Sequence, residues 1–137
     1  MTKHDERVKL FQLIFNCSFY ENSEIPEQMD LFRRLQMASE QESFKTVEEK
    51  AKKVLDKLGD IDMILTKAST GWPLSRLGKA ELAIMRLAAY EILFDESVPA
   101  GVAINEAVEI SKVFGNDSAP SFVNAVLAKL VNEPDKQ

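Results

Sequence analysis

Residues 80–94 read AELAIMRLAAYEILF, and this stretch decides the fold class. Leu82, Met85, Leu87, Ala89, Tyr90 and Leu93 spread around one broad apolar face at helical spacing, the pattern of a helix packed into a core. The same period continues outward in both directions. Val98-Pro99-Ala100-Gly101 reads as a connector, and Val102 to Phe114 as a helix with Ile104, Ala107, Val108 and Ile110 inward. Gly115 is placed to terminate it. Ser118 is placed to cap a last helix carrying Pro120, Phe122, Val123, Val126, Leu127 and Leu130. Upstream, Thr70-Gly71-Trp72-Pro73 is a loop. Before it, Thr46-Val47-Glu48-Glu49 fits a capping box, predicting a helix from near Thr46 with Val47, Ala51, Val54, Leu55 and Leu58 as its stripe. Gly59-Asp60 breaks or bends that helix before Ile61, Ile64 and Leu65 resume the pattern. A shorter helix runs from Pro26 to about Met37 with Met29, Phe32 and Leu35 on one face. The first runs from about Asp5 to Tyr20, where Val8, Phe11, Ile14, Phe15 and Ser18 form a stripe that Leu10, Leu13 and Cys17 widen. No period-2 strand pattern and no internal repeat stands out. The prediction is an all-α compact helical bundle of about six to seven helices.

The 137 residues are enough for one sizeable core. With 45% hydrophobic and 28% charged residues, the bulk of the chain is not disordered. One cysteine excludes an internal disulfide framework and fits a reducing compartment. One histidine beside that one cysteine excludes most zinc sites and any CxxC redox motif. The net charge of −5 divides as −3 over residues 1–30, +1 over 31–70 and −3 over 71–137, so there is no strongly basic tail of the kind that announces nucleic-acid binding. The opening residues MTKHDERVKLFQ are polar and charged rather than signal-like. No apolar run approaches the roughly 20 residues that span a bilayer. A cytoplasmic protein without a membrane segment is expected.

Catalysis finds little support. His4 sits in a charged terminus, and Cys17 lies in an apolar helical run where a thiol is buried and inert. Glu106 and Glu109, three apart, read as solvated helix surface. No glycine-rich phosphate loop is present, and no cofactor or metal is expected. Binding is better supported. Lys3, His4, Arg7 and Lys9 cluster at the first helical turn, diluted by Asp5 and Glu6. Cations there oppose the helix dipole, so they do not serve the helix. Phe122, at a helix start, suits either base stacking or core packing. Lys45, Lys50, Lys52, Lys53 and Lys57 interleave with Glu48, Glu49 and Asp56 as a solvated face.

Three linked blocks carry a resemblance: RLGKAELAIMRLAAYEI at 76–92, VPAGVAINEAVEISKVFG at 98–115 and SFVNAVLAKL at 121–130. Together, and with Arg7, Gln12 and the Leu13-Ile14-Phe15 run, they resemble the NusB family of transcription antitermination factors. The resemblance implies two packed helical subdomains, about residues 4–70 and 74–132. It implies binding of the boxA segment of nascent RNA together with ribosomal protein NusE, in the RNA polymerase antitermination complex at ribosomal RNA operons. Carried over residue by residue, the RNA contacts are Lys3, Arg7, Gln12, Phe15, Asp117, Ser118 and Phe122, and the partner contacts are Glu81 and, more weakly, Arg76. Family members include monomers and dimers, so a homodimer is open.

Three departures bear on activity. The family's arginine run is Lys-His-Asp-Glu-Arg here, Phe15 stands where Tyr is frequent, and Ala125 replaces a family glycine. Two alternatives follow. One is a protein-only scaffold of this fold that has lost RNA binding. The other is an RNA-binding domain related to those fused to RNA cytosine methyltransferases. It ranks last because the chain ends at Gln137 after a polar Asn-Glu-Pro-Asp-Lys-Gln stretch with no cofactor-binding domain. Trp72, between a Gly and a Pro, is expected to cover the seam between subdomains.

Overall fold

The structure, a computed structural model, describes residues 1–70 and 72–131; Gly71 of the 70–73 loop and the polar stretch 132–137 lie outside the described residues. Among the described residues there are seven α-helices, three short 3-10 turns and no strand. The chain divides into two compact units, Met1–Asp56 and Lys57–Gln137.

The first unit holds α1 (Lys3–Cys17), α2 (Ile25–Arg34) and α3 (Gln41–Asp56). The start of α1 follows from Thr2-Lys3-His4-Asp5. The Thr2 hydroxyl accepts the Asp5 N–H at 3.0 Å, and the Asp5 carboxylate accepts the Thr2 N–H at 3.3 Å. This capping box satisfies two backbone donors that the first turn leaves orphaned. Leu10, Phe11, Leu13, Ile14 and Cys17 are buried along α1, with Met29 from α2 and Phe44, Val47, Ala51 and Val54 from α3. The Phe32 and Phe44 rings stack at 5.6 Å between centroids.

Two helix boundaries differ from those the sequence pattern predicts. The third helix starts at Gln41, not near Thr46, because Phe44 extends the Val47–Ala51–Val54 stripe by a turn and is wholly buried. Glu48, inside the supposed capping box, instead accepts from the Arg33 guanidinium at 2.8 and 3.1 Å. Arg33 also pairs with Asp30, and its pKa is raised, chiefly by the Glu48 hydrogen bond. The second helix ends at Arg34, before Leu35, which is therefore 82% exposed rather than on the Met29 face.

The second unit holds α4 (Leu58–Ala68), α5 (Lys79–Phe94), α6 (Ala100–Phe114) and α7 (Ala119–Val131). The helix break falls at Lys57, leaving Gly59 in the first turn of α4. Helix α6 begins at Ala100, so Ala100 and Gly101 are helical rather than connector. The division of the chain lies at residue 56, not in the 70–74 loop, because α4 packs on α5 and α7. Two polar links support that packing. Arg86 of α5 makes a bidentate pair with Asp62 of α4 at 2.9 and 2.7 Å, the strong fork geometry of guanidinium and carboxylate. Lys129 of α7 donates to the Ala68 carbonyl at 2.9 Å, satisfying an orphan acceptor at the end of α4. Helix α5 is the centre of the unit, contacted by α4, α6 and α7. Ala83, Ile84, Met85, Leu87, Ala88, Ala89, Tyr90, Glu91 and Ile92 are all buried. The alanines let neighbouring helices approach closely, and the apolar face is accordingly wider than one stripe. Lys57 sits over the Phe94 ring, 5.2 Å from its centroid, a cation–π contact.

The α3 register is testable. Phe44→Ala should cost about 3–5 kcal/mol of stability in urea unfolding, because the side chain is wholly buried. Leu35→Ala should change it by no more than about 0.5 kcal/mol.

Candidate functional site

The candidate residues fall on two units. In the first, the acids that dilute the N-terminal cations have a structural role. Asp5 completes the Thr2 capping box, and Asp5 and Glu6 place negative charge at the positive end of the helix dipole. The hydrogen bonds from Thr2 hold the Asp5 carboxyl below the usual carboxylate range. Lys3 is exposed, and Arg7, Gln12 and Phe15 are half-buried. Lys9 turns away to donate to Gln36 at 2.5 Å, with Glu40 at 4.0 Å. Phe15 belongs to an aromatic row along α1, 6.1 Å from Phe11 and edge-on to the exposed Phe19 at 5.1 Å. Cys17 is buried as expected, and burial pushes its thiol up to about 11. It therefore stays protonated and unreactive near neutral pH.

In the second unit the geometry starts from Gly115. Its φ of −100° and ψ of 179° are extended and open to any residue. Space excludes a side chain instead. A Cβ there would lie 2.6 Å from the Ala119 Cβ and 2.9 Å from both the Ser111 carbonyl oxygen and Glu81 Oε2. This close approach brings the α6–α7 turn onto the first turn of α5, where the Asn116 N–H donates to Glu81 Oε2 at 3.2 Å. Asn116 then folds the turn on itself. Its side-chain oxygen accepts from the Ser118 N–H at 3.0 Å and the Ser118 hydroxyl at 2.9 Å. The Ser118 carbonyl accepts from the Phe122 N–H at 3.2 Å, so Ser118 holds the N-cap position of α7.

Beside this turn lies a groove of about 640 Å³ whose lining includes Trp72, Arg76, Glu81, Asn116, Ser118 and Phe122. It brings together Arg76 and Glu81, expected to meet a partner protein, and Ser118 and Phe122, expected to meet RNA. Asp117 is exposed in the same turn. Phe122 is half-buried, with its ring bordering the groove rather than sealed in the core. The groove also contains Trp72 and Asn116, which sequence reasoning did not single out as contacts. The Gly-Asn-Asp-Ser composition at 115–118 is a turn signal for Asn116, whereas nothing local marks Trp72 as a groove residue. Glu109 is exposed and paired to Lys112 at 2.9 Å, whereas Glu106 is half-buried. Among the described residues no cluster of three or more His, Cys, Asp or Glu side chains could hold a metal ion, and no helix is long and apolar enough to cross a membrane.

The NusB family model matches residues 4–132. The chain belongs to the NusB family. It is 46% identical over 134 residues to the transcription antitermination protein NusB of Lachnoclostridium phytofermentans, covering 96% of this chain and 100% of that protein. It is 39% identical over 129 residues to the transcription antitermination protein NusB of Agathobacter rectalis, covering 94% and 98%. Among solved structures, T. maritima NusB superposes with a TM-score of 0.82 at 25% identity, covering 97% of this chain and 92% of that one. The all-α NusB fold expected from the three sequence blocks is thereby established. Of the groove residues, Arg76, Glu81 and Phe122 lie within those blocks.

The packing at position 115 separates Gly115 from Gly59 and Gly101. Gly115→Ala should lower stability by about 1–3 kcal/mol through overpacking. Gly59→Ala and Gly101→Ala have nothing within 4 Å of the added Cβ, and should raise it by about 0.4–1 kcal/mol. Chemical unfolding of the three variants checks the contrast.

Proposed function

We propose that this chain is a transcription antitermination factor. In this reading it binds boxA-type single-stranded RNA together with ribosomal protein NusE and acts on RNA polymerase at ribosomal RNA operons in the cytoplasm. The observation that carries the reading is the match, over almost the whole of both chains, to proteins named for transcription antitermination. The role is one of binding, not of catalysis. Each unit supplies its own contacts. On α1, Lys3 and Arg7 offer cations for phosphates, Gln12 an amide for base edges and Phe15 a ring for stacking. In the second unit, Asp117 and Ser118 offer polar groups in a hydrogen-bonded turn and Phe122 a ring, while Arg76 and Glu81 are the contacts for NusE. The N-terminal acids do not favour a protein-only scaffold, because capping and the helix dipole account for them.

Titration of a fluorescent boxA-type RNA, with and without NusE, at two salt concentrations tests the reading. Binding should weaken with salt and tighten with NusE. Arg7→Glu should flatten the salt dependence by about one phosphate contact, a slope change near 0.7. Phe122→Asp should weaken binding by about 5- to 100-fold. No binding under any condition, or an affinity that the two substitutions together leave unchanged, would reject it in favour of the scaffold.

A further inference from the structure

Trp72 is the single tryptophan of the sequence, and it is 49% exposed. A side chain with that much apolar area is ordinarily well buried unless its polar edge or its ring face is used elsewhere. Its exposure does not come from a loose backbone. The Trp72 N–H donates to the Ser69 carbonyl at 2.8 Å, and the Ser69 hydroxyl donates to the Trp72 carbonyl at 3.1 Å. Ser69 is itself buried at the end of α4. The backbone is thus pinned to the helix on both sides while the indole borders the groove.

The chemistry of that groove is mixed. Trp72 and Phe122 supply rings, Arg76 a guanidinium, and Ser118 and Ser121 hydroxyls. The carboxylate of Glu81, also at the groove, is engaged by the Asn116 N–H. Leu77 and Ala119 also line the groove. Two rings beside hydroxyls suit a nucleotide: a ring face for the base, and hydroxyls for base edges or the ribose 2′-OH. The volume of about 640 Å³ falls within the range of about 300–1,000 Å³ typical of small-ligand pockets.

We infer that the Trp72 groove takes one unpaired nucleotide of the bound RNA, its base stacked on the Trp72 indole. The inference rests on the RNA-binding reading above and adds a residue and a subsite to it. Because the emission of the whole chain comes from one indole, it can be followed directly. Adding a single-stranded boxA-type oligoribonucleotide to the full chain should quench Trp72 emission with the same midpoint as the anisotropy rise of the labelled RNA. Trp72→Ala should weaken binding by about 5- to 100-fold, with Trp72→Phe restoring most of it. Thermal unfolding of both variants separates a lost contact from a lost fold, and the quenching of the unsubstituted chain needs no variant at all. RNA that binds by anisotropy yet leaves Trp72 emission unchanged would overturn the subsite while the RNA reading stands. Absence of any RNA binding would overturn both. Emission that responds to NusE alone and not to RNA would make the groove a protein-docking surface and reject the inference.

Discussion

Position 115 has no room for a side chain, and the candidate site in the second unit depends on that. With only hydrogen there, the end of α6 comes within contact of Ala119 and of the first turn of α5. The Asn116 amide then reaches the Glu81 carboxylate, and Asn116 organises Ser118 and the start of α7. A larger residue would push the turn outward and break this sequence of contacts at its first step. The glycine is required by packing, not by an unusual backbone angle. Glu81, brought in by the resemblance as a partner contact, is also a structural strut for the turn that carries Asp117 and Ser118. Whatever engages its carboxylate acts on that turn as well.

Each unit settles its own polar requirements. Among the described residues no buried side-chain nitrogen or oxygen lacks a hydrogen-bond partner. In the first unit the Arg33–Glu48 pair ties α2 to α3. In the second, Arg86–Asp62 and Lys129–Ala68 tie α4 to α5 and α7. Removing one partner of such a link leaves a partly buried charge or carbonyl unmatched, which costs more than the link contributes.

Much of the fold was legible because its helices bury apolar stripes at regular spacing. The α5, α6 and α7 registers could be read directly, since Met85, Leu87, Ala107, Ile110, Val123, Val126 and Leu127 all turn inward. Where reading failed, a local pattern competed with burial. Thr46-Val47-Glu48-Glu49 has the spacing of a capping box but lies inside α3, because Phe44 packs one turn earlier. Leu35 continues the apolar spacing of α2 beyond the point where the helix ends. Thr2-Lys3-His4-Asp5 carries genuine capping spacing within a stretch whose cations suggest binding. The groove was the least legible feature, since Trp72, Arg76, Glu81 and Phe122 meet only through tertiary packing. The family resemblance marked three of those four; the Gly and Pro beside Trp72 suggested a seam residue, not a place in this groove.

In the proposed reading, RNA is met by α1 and by the turn at the start of α7. Backbone amide spectra of the isotopically labelled chain, recorded with and without saturating boxA-type RNA, test it most directly. The largest shifts should fall at Arg7, Gln12 and Phe15 and across Asn116 to Phe122. Shifts confined to α2, α3 and α6, or spectra that RNA leaves unchanged, would contradict it.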